Sequence, residues 1–362
     1  MRYLSKHLED IKDKKVLLRA SLNVPIDKNG RVLDDFRIKK ALPSIRKIKK
    51  NARALYIIAH IGKDATQSLE PVYLELKKQI KDLQFVRKED YFKKRLDGVF
   101  LFENLRAFEG EKNADMGFAR SLASMADVFV QDAFAVLHRE HASIVLLPKL
   151  LPSLAGLLVE KELRALNRAL HPKGFAAFVL GGDKFSTKEP LVKKMLERYQ
   201  KVLLAGALAN DALLARGYNV GDSKVEDGYI DPEVLNHPHL FLPEKYTVLM
   251  KNSTRKSNGF DIKEGEMIVD AFPPLDFLYG VDFLLWNGPL GWYERGFSQG
   301  SAALINQIEI FKPKTYVGGG DSNAIIDELQ KGDLFSFRSS GGGAMLKYLE
   351  SETLPGLEVL GK

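Results

Sequence analysis

The stretch Ala176-Ala-Phe-Val-Leu-Gly-Gly182 decides the fold. An apolar run without polar alternation predicts a strand buried on both faces, as in a parallel sheet. The glycines at its carboxyl end let the backbone approach a ligand closely. Their free N–H groups, and the helix that opens next, favour an anion. The pattern returns at Phe283-Leu-Leu-Trp-Asn-Gly-Pro-Leu-Gly291 and Thr315-Tyr-Val-Gly-Gly-Gly-Asp-Ser322, and a further glycine run stands at Gly341-Gly-Gly343. Several glycine turns on one sheet edge predict a phosphate-rich ligand, and Asp321 closing a triplet predicts a metal beside it. Neither GxxxxGK[ST] nor a GxGxxG after a strand occurs, so no P-loop or dinucleotide fingerprint is present.

Outward from this stretch, apolar runs alternate with amphipathic ones. Strands are predicted at Val16 to Arg19, Ala54 to Ala59, Gly98 to Glu103 and Asp127 to Gln131, with helices at Asp35 to Lys49, Gln67 to Gln79 and Ala114 to Met125. A second series starts at Ala176 and takes in a helix at Glu189 to Tyr199, a strand at Lys201 to Ala205 and a helix at Asn210 to Ala215. Between the series, Leu154, Leu157, Leu158, Leu163, Leu166 and Leu170 recur at helical spacing. The expected fold is α/β: two Rossmann-like lobes with parallel sheets, joined by a long interdomain helix. The lobes are residues 1–152 and 172–345, and the helix is 153–171.

The chain has 362 residues, 45% of them apolar and 28% charged, in the normal range for soluble globular domains. It has no cysteine, which excludes disulfides, thiol nucleophiles and Cys-ligated metals. No secretory signal and no span-length apolar run is visible, so a cytoplasmic location and no membrane partner are expected. The net charge is +7, but the lysines are spread over helical patches without interleaved aromatics. That argues for solvated helix faces and against nucleic acid.

The loops after the first-lobe strands carry Asn23, Arg37, His60, Lys63, Arg106 and Arg139. Basic groups gathered at one sheet edge repel unless an anion lies among them, and arginine forks suit phosphate and carboxylate. An anion site in one lobe and a glycine-cradled phosphate chain in the other are the parts phosphoryl transfer needs.

These segments resemble phosphoglycerate kinase over almost the whole chain. Arg19-Ala-Ser-Leu-Asn-Val-Pro25 is similar to RVDFNVP, Asp34-Asp-Phe-Arg-Ile38 to DDTRI, and Ala59-His-Ile-Gly-Lys63 to SHLGR. Glu103-Asn-Leu-Arg106 is ENLR itself, and Asp132 to Ser143 is similar to DAFGTAHRAHAS. Leu180 to Lys188 is similar to LGGAKVSDK. Trp286 to Gly291, Gly318 to Ser322 and Ser340 to Ala344 are similar to WNGPMG, GGGDT and TGGGA.

The resemblance implies reversible phosphoryl transfer between 1,3-bisphosphoglycerate and ADP, with Mg²⁺, by a monomer. It implies that Ser21, Asn23, Arg37, His60, Lys63, Arg106 and Arg139 hold 3-phosphoglycerate. It further implies that Gly182, Lys184, Lys188, Gly206, Asn287, Glu294, Gly319, Gly320, Asp321 and Ser322 hold the nucleotide, with Asp321 on the metal. Arg37, Lys188 and Gly342 are the implied catalytic groups, and the tail 346–362 is implied to return to the first lobe. The chain departs from the pattern where Ser21 replaces aspartate, Lys63 arginine, Asp183 alanine, and alanines stand in Ala205-Gly-Ala207. Those departures motivate a second expectation, a binding protein with impaired catalysis.

Overall fold

Strand β1 (Lys15–Ala20) is buried from Val16 onward because it lies inside a parallel sheet covered on both faces. Its neighbours are β2 (Ala54–Ile58), β3 (Leu83–Val86), β4 (Gly98–Phe102), β5 (Val128–Asp132) and β6 (Ser153–Ala155). They run in the order β3-β4-β2-β1-β5-β6, every pair parallel. Alternation sorts the side chains. Val16, Leu18, Leu55 and Ile57 pack against helices Phe36–Asn51 and Glu70–Gln79, while Leu17, Tyr56, Phe100 and Phe129 form a second cluster with Leu122 and Leu147. The computed structural model describes residues 1–361 except 94–96, 227, 252 and 259–260.

The chain divides into two units: Met1–Arg164 with the segment from Ser351 onward, and Ala165–Glu350. In the second unit, β7 (Ala176–Gly182), β8 (Lys201–Gly206), β9 (Leu240–Phe241), β13 (Phe283–Asn287), β14 (Lys314–Gly318) and β15 (Phe337–Arg338) form another parallel sheet. Its order is β15-β14-β13-β7-β8-β9. Strand order reverses between β7 and β13, the place where such sheets open a crevice at their carboxyl ends. The Gly181-Gly182 and Asn287-Gly288 turns leave the sheet there.

One expectation is corrected. Residues 153–171 are not one helix, because Ser153–Ala155 is strand β6, paired with β5, and the helix runs Leu157–Leu170. Gly156 makes the break, since a Cβ there would lie 2.2 Å from Asp132 Oδ1. The Asp132 carboxylate then caps the helix, accepting from Leu158 N (2.8 Å) and Val159 N (3.2 Å), and Ser44 Oγ accepts from Leu157 N (3.0 Å). Both capping groups lie far away in sequence, so local spacing could not reveal this start.

The two expected parallel-sheet lobes are present. The second unit also holds an antiparallel sheet of β10 (Lys245–Met250), β11 (Ser253–Asn258) and β12 (Met267–Phe272), ordered β11-β10-β12. Strand β11 reads Ser-Thr-Arg-Lys-Ser-Asn and has no apolar run to announce it.

Candidate active site

In the first unit, the basic residues gather at the carboxyl edge of the sheet around an arginine that sequence reasoning passed over. Arg19 ends the apolar run of β1 and is fully buried. Its Nη2 lies 2.9 Å from His60 Nδ1, and its Nε donates to Ser143 Oγ at 3.0 Å. Glu111, also fully buried, is its counter-ion at 4.0 Å. Glu111 in turn accepts from Ser143 Oγ (2.6 Å) and Ser143 N (3.0 Å). A charge inside an apolar strand was the available signal, because it is tolerated only where a partner is buried with it.

Because arginine only donates, His60 Nδ1 must be the acceptor, which places the imidazole proton on Nε2. Burial, then Arg19, Arg106, Arg139 and Arg37, hold His60 well below its ordinary range, so the ring is neutral. All four arginines are near enough for their fields to act on His60, and Arg19 touches it.

A chain of backbone contacts fixes them. Asn23 Oδ1 accepts from Gly62 N at 2.9 Å, Arg37 Nη1 donates to the Asn23 carbonyl, and Arg106 Nη1 donates to the Gly62 carbonyl. Gly62 has φ +70°, a conformation that glycine adopts without strain. Arg106 keeps a buried Nε with no partner among the described residues, and so does Ser21 Oγ. Arg139 is exposed, and its field reaches His60, Arg19 and Arg106. Lys63 stands apart from this hydrogen-bonded set, with its side chain exposed on the loop.

Two histidines in this cluster give a pH prediction. Burial first, then Arg19, lowers His141 to about 4. A histidine depressed in the folded state adds stability that is full above the unfolded value near 6.5 and is lost as pH falls below it. Ring-proton NMR should therefore show His60 and His141 flat between pH 8 and 6. A midpoint near 6.5 for either would mean that the arginines are not assembled around it.

In the second unit the four glycine clusters meet. A Cβ on Gly181 would lie 2.1 Å from the Pro289 carbonyl oxygen, one on Gly288 2.4 Å from the Gly181 oxygen, and one on Gly342 2.6 Å from Gly319 Cα. Helices Gly320–Glu328 and Gly342–Ser351 start at this point with unpaired N–H groups, and Cβ positions on Gly320 and Gly343 would meet only open space. Asn287 is buried at the end of β13, and the buried Ser322 Oγ has no partner among the described residues.

Beside this point lies a cavity of about 470 Å³. Gly182, Gly206, Glu294 and Asp321 line it together with Leu290 and Trp292. Lys184 is exposed and Lys188 half-buried on the turn after β7, and neither lines the cavity. Asp183 is exposed at the rim and paired with Lys224 at 3.1 Å, which offsets its charge. Burial, then Glu294, raises the Asp321 carboxyl above its ordinary range. Among the described residues no group of three or more metal-ligating side chains occurs. One oxygen ligand beside a second carboxylate's field fits a hard cation such as Mg²⁺, whose shell is completed by phosphates and water.

The phosphoglycerate kinase family model matches residues 6–352. The chain belongs to the phosphoglycerate kinase family. It is 34% identical to phosphoglycerate kinase of Helicobacter pylori strain J99, over 98% of this chain and 95% of that one. It is 33% identical to that of Francisella philomiragia, covering 99% and 98%.

Among solved structures it is similar to phosphoglycerate kinase from Coxiella burnetii, with TM-score 0.82, 32% identity and 97% of each chain covered. It is also similar to that from Pyrococcus horikoshii, with TM-score 0.84, 28% identity and 100% and 98% covered. The function is that of a phosphoglycerate kinase, reversible phosphoryl transfer between 1,3-bisphosphoglycerate and ADP. Nothing in these comparisons supports the impaired alternative. Among the described residues no helix is long and apolar enough to cross a membrane.

Proposed function

We propose that each half-site holds one reactant, with the acceptor carboxylate of 3-phosphoglycerate on the first unit and MgATP on the second. The observation that carries this is that Arg37 and Arg106 are tied together through Asn23 and Gly62 beside His60, within reach of Arg139's field, with Glu111 buried as counter-ion to Arg19. Such an excess of positive charge is stabilised by a phosphate and a carboxylate. His60 contributes its Nε2–H as a neutral donor, Asn23 shapes the loop, the buried Ser21 Oγ offers a further polar contact, and the exposed Lys63 adds positive charge. Arg37 supports the migrating phosphoryl group, whose charge spreads over its oxygens in transfer.

On the second unit, the N–H groups of Gly319, Gly320 and Gly342 receive phosphate oxygens, and Lys184 and Lys188 neutralise them. Asn287 and Ser322 supply further polar contacts. Gly182 and Gly206 let the nucleoside approach the sheet, and Glu294 accepts from the ribose hydroxyls. Asp321 holds Mg²⁺, which when bound neutralises phosphate charge as it develops. A substrate carboxylate oxygen attacks the γ-phosphorus, its bond to the β-bridging oxygen breaks, and ADP leaves. In this reading the chain is a phosphotransferase acting on a carboxyl acceptor, and a cytoplasmic monomer.

A coupled assay with 3-phosphoglycerate and MgATP tests the whole reading, and a folded, pure sample without turnover would reject it. For the metal, Asp321→Asn should raise the Mg²⁺ concentration needed for half-maximal rate about tenfold or more. Thermal stability without Mg²⁺ should hold or rise, since a carboxyl whose charged form burial disfavours is removed. An unchanged Mg²⁺ requirement would move the metal elsewhere.

A further inference from the structure

The cavity in the second unit has an aromatic wall whose exposure packing does not explain. Trp292 lines it and keeps 40% of its surface exposed, although indole burial is among the larger sources of stabilisation. The neighbouring wall residues Ile268, Val269 and Leu290 are apolar. The ring is mounted firmly. Trp292 N donates to Val269 O at 2.8 Å, and the Trp292 carbonyl accepts from Arg295 N (3.0 Å) and Phe297 N (3.1 Å). The Arg295 guanidinium lies over the ring, 4.7 Å from its centre, and so occupies one face.

We propose that Trp292 is the stacking platform for the nucleotide base, which lies against the indole face that Arg295 leaves open. The inference rests on the nucleotide reading of this cavity. A ring pinned at its backbone and backed by a cation is already oriented for a flat heteroaromatic partner, so little ordering remains to be done on binding. Stacking on an aromatic side chain strengthens binding of a base by about one to two orders of magnitude. Arg295 is a positioning residue here, holding the ring rather than touching the base.

The chain has two tryptophans, and Trp286 is fully buried with its Nε1 donating to the Gly288 carbonyl at 2.6 Å. Titrating the protein with ADP should therefore quench the fluorescence of Trp292, while inorganic pyrophosphate should leave it nearly unchanged. By calorimetry, Trp292→Leu should weaken ADP binding about tenfold or more, and Trp292→Phe should keep affinity within a few-fold. Pyrophosphate affinity, equal in both variants, shows that the fold and phosphate cradle survive.

Wild-type ADP affinity in Trp292→Leu would overturn the platform. Ala207→Phe, which fills the cavity from the start of helix Ala207–Ala215, separates the two failures. If it blocks ADP but Trp292→Leu does not, the cavity reading stands and the platform falls. If neither variant affects ADP, the nucleotide lies elsewhere and both fall.

Discussion

Arg37→Ala should lower kcat by about two to three orders of magnitude while the protein stays folded. Arg37 lies in the first turn of helix Phe36–Asn51, mostly buried, and donates to the Asn23 carbonyl. Desolvation lowers its pKa, and the fields of Asp34 and Glu162 oppose that shift. A cation held in place with much of its water removed exerts its full field at the moment charge migrates, and reorganises little. Removing it deletes an interaction wanted most in the transition state, so kcat should fall more than KM rises. Arg37→Lys should recover only part, because a point charge lacks the planar fork. Steady-state kinetics with circular dichroism as the folding check decides this, and a near-normal kcat would show that Arg37 merely binds.

The second large effect is on stability. Gly181→Ala should lower the stability of the second unit by about 3 kcal/mol, since overpacked groups that cannot yield cost that much. The added carbon would sit 2.1 Å from the Pro289 carbonyl oxygen and 2.9 Å from Gly288 C, and this backbone, in the turn directly after β13, cannot yield as the end of a flexible side chain could. For a unit of this size that corresponds to a fall in Tm of about 10 °C. Gly320→Ala is the control. Its Cβ would meet open space and its φ is ordinary, so Tm should stay within about a degree of wild type. Calorimetric scans of both variants check the pair, and equal Tm values would mean that the β7 and β13 turns do not meet as described.

Much of this architecture was legible because parallel strands, buried on both faces, must be apolar throughout. Val16-Leu-Leu, Ala176 to Leu180 and Phe283 to Leu285 therefore announced themselves, and glycine or basic residues after each run marked the carboxyl edge of the sheet. Less was legible where identity depends on a distant partner. Strand β6 and the helix after it read as one amphipathic segment, because Asp132 and Ser44 set the boundary. The polar strand β11 gave no signal until β10 paired with it. Arg19 looked like the end of a strand, and only the fold brought Glu111 and Ser143 to it.

By itself the sequence determined two parallel α/β halves, a glycine-rich sheet edge and the motifs that belong to this family, because these follow from residue type and local order. Tertiary structure alone decided which charges are neutralised. It made His60 an uncharged donor, put Asp183 on Lys224 at the rim, left Lys63 exposed, and set Trp292 against a cavity. Protonation, desolvation and exposure depend on neighbours through space, and those neighbours are separated by tens of residues along the chain.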